Sequence, residues 1–188
     1  APGSLRLNPL TGKIIADARR LPLKAASCRV LTANCVLQWL PDPIATLKHW
    51  RSEHPQALIA AAFFIEGTLT EWQDTLHNLN IESPHSFIKE VALDSLKEQS
   101  FIHIDTLRAH YPDAHAALKA IHRIGAGTAA STDFPRLSPA ILRRALAAYP
   151  LQEGQATVSY RTAWVLWPAQ KIGAQKIENK PSSPLQEQ

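Results

Sequence analysis

Two apolar runs limit the fold of this 188-residue chain more than any other feature. The first covers residues 28–33, and the second lies within residues 57–65. Runs this continuous are typical of strands that are buried on both faces of a parallel sheet. Between them, Asp42 is suited to an N-cap and Pro43 to a first helical turn, and apolar residues follow at helical spacing. The order strand, helix, strand predicts a βαβ unit and an α/β fold.

The rest of the chain continues this alternation. Thr68-Leu69-Thr70-Glu71 matches a capping box, which predicts a helix that starts there. Near the N-terminus, short strands are predicted around residues 5–7 and 13–16, the second of them ending at Asp17. The other predicted elements are helices over residues 87–98, 112–125 and 138–150, and strands over 101–108 and 157–167, the last of which is antiparallel or at an edge.

Composition fits one globular domain, which we place at residues 1–168, followed by a polar tail at 169–188 that we expect to be disordered. Cys28 and Cys35 are seven residues apart on or beside one strand, so their side chains leave opposite faces and do not bridge readily. A reduced, cytoplasmic setting is expected. No apolar run reaches the ~20 residues that cross a bilayer, and no membrane partner is expected.

The net charge of +4 and the pI of 9.2 favour an acidic partner without identifying it. Aromatic residues do not alternate with the arginines and no recognition-helix motif is present, so nucleic acid is not the expected partner. The eight histidines show no metal-ligand spacing, and no metal site is expected.

Three stretches carry a resemblance to a known family. They are Asp17 to Leu23 with Asn34 and Gln38-Trp39; residues 66–72 directly after the second buried strand; and residues 118–126, followed by Leu137-Ser138-Pro139 and Tyr160. In this order and spacing they resemble the malonyl-[acyl-carrier protein] O-methyltransferases of biotin synthesis (the BioC family), over about residues 12–167. The resemblance implies a partial Rossmann-like class I methyltransferase fold, namely the C-terminal portion of its sheet with flanking helices.

The resemblance also implies a cofactor site and part of a substrate site. Asp17 would accept a hydrogen bond from the adenine amino group of S-adenosylmethionine, with the backbone amide of Ala18 beside it. Asn34 would lie near the methionine part of the cofactor, at the carboxyl end of its strand, where open α/β sheets bind ligands. Gln38 and Trp39 would line the acyl side. Without the resemblance, Asp17 and Asn34 read as turn or cap residues and Trp39 as a core residue.

The implied reaction asks little of the protein covalently. A malonyl carboxylate is ionised at neutral pH, so it needs no general base, and catalysis would come from alignment and the exclusion of water. We therefore expect no catalytic residue in the covalent sense. Arg123, Arg143 and Arg144 are the candidates for holding the substrate carboxylate or docking acyl carrier protein, and the alternative for them is a solvated helix face.

One part of the family pattern is missing. The family opens with a strand, a glycine-rich loop and a second strand ending in an acidic residue, whereas sixteen residues precede Asp17 here. Gly125-Ala126-Gly127 follows a predicted helix and is better explained as a helix end. The chain alone is therefore not expected to bind S-adenosylmethionine. The strand over residues 28–33 should keep one open edge, available to a complementing chain or a second copy.

Three functions remain open at this point. The first is a methyltransferase of the malonyl-carrier type that is completed by a further N-terminal part. The second is a non-catalytic relative that still binds acyl carrier protein or a partner methyltransferase. The third is a small-molecule methyltransferase of another family, which the stretch at residues 118–126 and the last strand argue against.

Overall fold

The computed structural model describes residues 15–24, 27–123 and 137–170. The strand predicted at 5–7, most of the strand at 13–16, the Gly125-Ala126-Gly127 stretch and nearly all of the predicted tail lie outside these ranges. Ile15 and Ala16 are described and are not in a strand.

The predicted βαβ unit is confirmed. Strand β1 covers Val30–Asn34, helix α1 covers Pro43–Glu53 and strand β2 covers Leu58–Phe64. The side chain of Asp42 accepts a hydrogen bond from the Ala45 amide at 2.8 Å, and Pro43 occupies the first helical turn. The two strands pair in parallel, as their unbroken apolar character indicated.

Helix α2 covers Thr70–Asn78, where the sequence predicts it, but the capping box does not form. Leu69 is the N-cap residue, with a left-handed φ of 57° and no side-chain cap. Thr68 Oγ1 instead donates to the Arg161 carbonyl at 2.8 Å and accepts from the Arg161 amide at 3.0 Å. The Glu71 carboxylate accepts from the Ser159 amide at 2.9 Å and the Ser159 hydroxyl at 2.5 Å. The capping residues therefore bind a distant strand, because backbone donors there compete for the same oxygens.

The second half of the chain follows the prediction closely. A 3-10 helix at Glu90–Leu96 replaces most of the helix expected over 87–98. Helices are found where they were predicted to begin near residues 112 and 138, and the side chains of Asp113 and Ser138 each accept a hydrogen bond from a backbone amide three residues on. The remaining elements are β3 (Phe101–Tyr111), α3 (Ala114–Ile121), α4 (Pro139–Ala148), β4 (Leu151–Gln152) and β5 (Gln155–Trp167).

The main sheet has the order β1-β2-β5-β3, and the short β4 pairs with β5. Strand β5 is antiparallel to both β2 and β3. Its antiparallel character was predicted, but it lies inside the sheet between two partners and not at an edge. Strands β1 and β2 are parallel, and the last strand, β5, lies antiparallel between β2 and β3. This arrangement is the C-terminal portion of the class I methyltransferase sheet. The partial Rossmann-like fold is therefore confirmed.

Side chains from the two faces of the sheet build two cores. The first packs α1 and the 3-10 helix at Glu90–Leu96 against β2 and β5, with Leu47, Ile59 and Phe63 fully buried. The second packs α2, α3 and α4 against Phe64 and the N-terminal half of β5. The described residues contain no helix long and apolar enough to span a bilayer.

Candidate functional site

The carboxyl end of β1 holds three of the predicted site residues. Asn34 is the last residue of the strand and is exposed. The chain turns at Cys35, whose φ of 51° lies in the left-handed region that residues with a side chain seldom adopt. The Cys35 amide donates to the Ala62 carbonyl at 2.7 Å, which holds the turn against β2. Asn34 is thus presented at the edge where such sheets bind ligands.

Gln38 and Trp39 lie in the 3-10 helix Leu37–Trp39 that follows this turn. Gln38 is buried, and its Nε2 donates to the Cys35 carbonyl at 2.8 Å. Its Oε1 has no hydrogen-bond partner among the described residues. Trp39 is half-buried and packs against the second core. The structure therefore brings Asn34, Gln38 and Trp39 together, with Gln38 bracing the turn from inside.

Asp17 and Ala18 belong to a segment, residues 15–24, that packs against the α1 side of the sheet. The indole of Trp50 donates to the Ala18 carbonyl at 2.8 Å. Asp17 is exposed, and the Arg19 guanidinium donates to both of its carboxylate oxygens at 2.7–3.1 Å. These bonds lower the pKa of Asp17 to about 2. No described contact joins this segment to Asn34, so the two halves of the predicted cofactor site remain separate.

Aromatic rings line the second core next to this edge, and most of them were not singled out from the sequence. The Phe64 ring lies 5.9 Å from Tyr160 and 6.4 Å from Phe87. Phe64 lies near the end of the second apolar run and is the last residue of β2, which places it at the carboxyl edge. Burial, together with a hydrogen bond to Tyr111, raises the pKa of Tyr160 well above its usual value. Tyr160 therefore stays a neutral phenol and offers contact area without accepting protons.

The three arginines named from the sequence lie on or directly after α3 and α4. Arg123 follows α3, while Arg143 and Arg144 are on α4, and all three are exposed. None of them forms an ion pair within the described ranges. The one buried residue of α4, Ala145, packs into the second core, so the arginines stand on the outer surface of the helix. An unneutralised cationic surface can dock an acidic macromolecule.

The described residues do not form a complete cofactor cradle. Asp17, the expected adenine contact, is already held by Arg19. No glycine-rich turn between a strand and a helix is described that would let a backbone approach a sulfonium cofactor closely. These residues alone therefore do not fit S-adenosylmethionine. The same part of the chain shows no cluster of three or more residues able to hold a metal ion.

Sheet order and an open carboxyl edge place the chain in the class of methyltransferase-like α/β proteins. No family model matches the sequence. It is 24% identical to a malonyl-[acyl-carrier protein] O-methyltransferase of Marinomonas sp. (strain MWYL1) in an alignment 165 residues long that covers 83% of this chain and 61% of that protein. It is 26% identical to the protein of the same name from Serratia marcescens in an alignment 159 residues long that covers 80% of this chain and 61% of that protein.

These relatives confirm the family resemblance that the sequence motifs indicated. The chain spans about three fifths of the length of each curated relative it matches. Among solved structures it is similar to a protein from Bacillus halodurans C-125 assigned to the methyltransferases, with 10% identity, a TM-score of 0.49, and coverage of 81% of this chain and 70% of that one. It is also similar to the YcgJ protein of Bacillus subtilis, with 10% identity, a TM-score of 0.48, and coverage of 81% and 69%.

Proposed function

We propose that this chain is part of a malonyl-[acyl-carrier protein] O-methyltransferase of biotin synthesis, acting in the cytoplasm. The observation that carries the proposal is the match to two curated proteins of that name over at least 80% of this chain. In the completed protein, S-adenosylmethionine would supply the methyl group to the malonyl carboxylate. Because the described residues do not fit the cofactor by themselves, a further polypeptide segment completes the site.

Trp39 and the aromatic wall would act on the substrate side, while Asn34 would lie near the methionine part of the cofactor. Asn34 and Trp39 stand at the carboxyl edge of the sheet, beside the wall formed by Phe64 and Tyr160. An apolar wall suits an acyl thioester and keeps water away from a reacting carboxylate. A carboxylate that is already ionised needs no base, and Tyr160 in this wall stays a neutral phenol.

Acyl carrier protein is the proposed macromolecular partner. Arg143 and Arg144 present two unneutralised charges on one exposed helix, with Arg123 at the end of the neighbouring helix. Attraction between such a surface and an acidic carrier is long-ranged at low salt and falls off within about 8 Å at physiological ionic strength. The contact should therefore be weak and sensitive to salt.

A second candidate is a non-catalytic relative that binds acyl carrier protein or a partner methyltransferase. One observation favours it: the Asp17 carboxylate is already engaged by Arg19 within the chain. Such a protein would keep the arginine surface without binding the cofactor.

Growth of a biotin-requiring bacterium that lacks its own malonyl-carrier methyltransferase separates the two. The strain would express this chain, the segment of the Serratia marcescens relative outside the matched region, or both. We expect growth without biotin only when both are present. If the cells do not grow although the two polypeptides copurify and the chain binds acyl carrier protein, the result supports the non-catalytic candidate.

A further inference from the structure

One face of the sheet carries an apolar area that no described helix covers. Two rows of side chains cross its four long strands: Asn34, Ala62, Trp164 and His103 in one row, and Thr32, Ala60, Leu166 and Phe101 in the other. We call this surface the sheet groove. Its cavity is about 420 Å³, and Phe101, Trp164 and Leu166 keep 70%, 51% and 43% of their surface exposed. Contiguous exposed apolar surface of this kind marks an interaction site.

The shape of the groove suits a helix. Ala60 and Ala62 give it a shallow floor over β2, and Trp164 and Phe101 form a wall over β5 and β3. Neighbouring strands are about 4.8 Å apart, so the groove that extends from β1 across β2 to the wall on β5 is about 10 Å wide. This width matches a helix, whose diameter with side chains is about 10–12 Å. Helices α2, α3 and α4 cover the same face only beyond Phe64 and Tyr160.

The groove is continuous with an open strand edge. The Cys35 amide donates to the Ala62 carbonyl at 2.7 Å, and the Leu58 amide donates to the Arg29 carbonyl at 2.8 Å. The backbone N–H and C=O groups of the odd-numbered residues along β1 therefore point towards β2. Successive residues of a strand point their backbone groups to opposite sides. The backbone groups of Thr32 and Asn34 therefore face away from β2, and no described strand pairs with that edge.

No single symmetric contact between two copies closes both features. Antiparallel pairing of two β1 edges puts both grooves on the same side of one extended sheet, where they stay uncovered. Stacking of two grooves face to face leaves both β1 edges unpaired. A strand joined to an apolar helix closes both together, because the helix of a crossover lies on the face of the sheet beside the strand that it joins.

We propose that the sheet groove and the β1 edge together dock a βα segment of a complementing polypeptide, whose strand pairs with β1 and whose apolar helix fills the groove. This deepens the proposed function, because it rests on the need for a completing segment. About two fifths of each curated relative lies outside the match, which is ample for such a unit. The docking is measured without methyl transfer, so it can fail independently of the activity.

The test is co-expression of this chain with the tagged segment of the Serratia marcescens relative outside the matched region, followed by copurification. Trp164→Glu places a charge in the groove, and Val91→Glu is the matched control on a residue that is 67% exposed and lies outside it. We expect Trp164→Glu to lower recovery of the complex at least ~10-fold, as loss of an aromatic anchor does. The control should leave recovery unchanged.

A second variant tests the edge. Thr32→Pro removes an outward amide, which an edge strand tolerates, so the chain should keep its fold and lose the segment. Thermal melts monitored by circular dichroism check folding of each variant. In the wild-type complex, hydrogen exchange at Thr32 and Asn34 should slow by at least ~10-fold once those amides are paired. The proposal is overturned if the two polypeptides do not copurify, or if neither variant lowers the recovery of the complex. It is also overturned if the chain associates with itself and Trp164→Glu abolishes that self-association.

Discussion

Glu71 is predicted to hold α2 to β5, and its replacement by alanine tests this. The Glu71 carboxylate accepts hydrogen bonds from the Ser159 amide at 2.9 Å and from the Ser159 hydroxyl at 2.5 Å. Ser159 has only 7% of its surface exposed. Hydrogen bonds to a charged group contribute about 1.5–3 kcal/mol each, and a buried amide left unpaired costs about 1–3 kcal/mol. Because Glu71 is half-buried, we expect Glu71→Ala to lower the free energy of unfolding by ~2–3 kcal/mol.

Urea denaturation of four proteins measures the effect: wild type, Glu71→Ala, Ser159→Ala and the double variant. The structure predicts a coupling energy of ~1–2 kcal/mol between two residues that are 88 positions apart. Asp74→Ala, at an exposed position on the same helix, is the control and should change stability by less than ~0.5 kcal/mol. A second cycle with Thr68→Ala in place of Ser159→Ala measures coupling within the capping box. Zero coupling with Ser159, together with strong coupling between Glu71 and Thr68, would restore the capping box and refute this reasoning.

Three further predictions follow from the site. The chain alone should show no micromolar affinity for S-adenosylmethionine in titration calorimetry, because Asp17 is held by Arg19 and no cofactor cradle is described; micromolar binding would contradict the fit argument. Arg143→Glu with Arg144→Glu should weaken docking of acyl carrier protein at low salt, and unchanged affinity would reduce the pair to a solvated surface. The Arg19 bond holds the pKa of Asp17 below its usual 3.8, so the ion pair is complete above about pH 4 and is lost as the pH falls through about 2. In an NMR titration Arg19→Ala should return this pKa towards 3.8, and an unchanged low value would point to another cause.

Local signals in the sequence were sufficient for most elements. Continuous apolar runs placed β1 and β2, and the N-cap at Asp42 placed the start of α1. These signals succeed because their physical cause lies within a few residues along the chain.

Features that depend on distant residues were predicted less well. The capping box failed because Ser159 and Arg161, far along the chain, supply better partners for Glu71 and Thr68. Alternation along residues 157–167 indicated an antiparallel strand but could not show that β2 and β3 would flank it. Pairing order is set by tertiary packing, and no local pattern encodes it.

The candidate site shows the same division. The apolar run over residues 28–33 located Asn34, which is the last residue of β1, and Trp39, which follows in the next 3-10 helix. The aromatic wall joins Phe64, Phe87 and Tyr160 from three separate parts of the chain, so only the fold reveals it.

Methyl transfer by the assembled protein is the most direct test of the account. The purified complex of this chain and the complementing segment would be incubated with S-adenosylmethionine carrying a labelled methyl group and with malonyl-acyl carrier protein. Acetyl-acyl carrier protein, which has no free carboxylate, is the control substrate. The account predicts an alkali-labile label on the malonyl carrier only, and only when both polypeptides are present. An intact complex that leaves the malonyl carrier unlabelled, or labels both carriers equally, would contradict it.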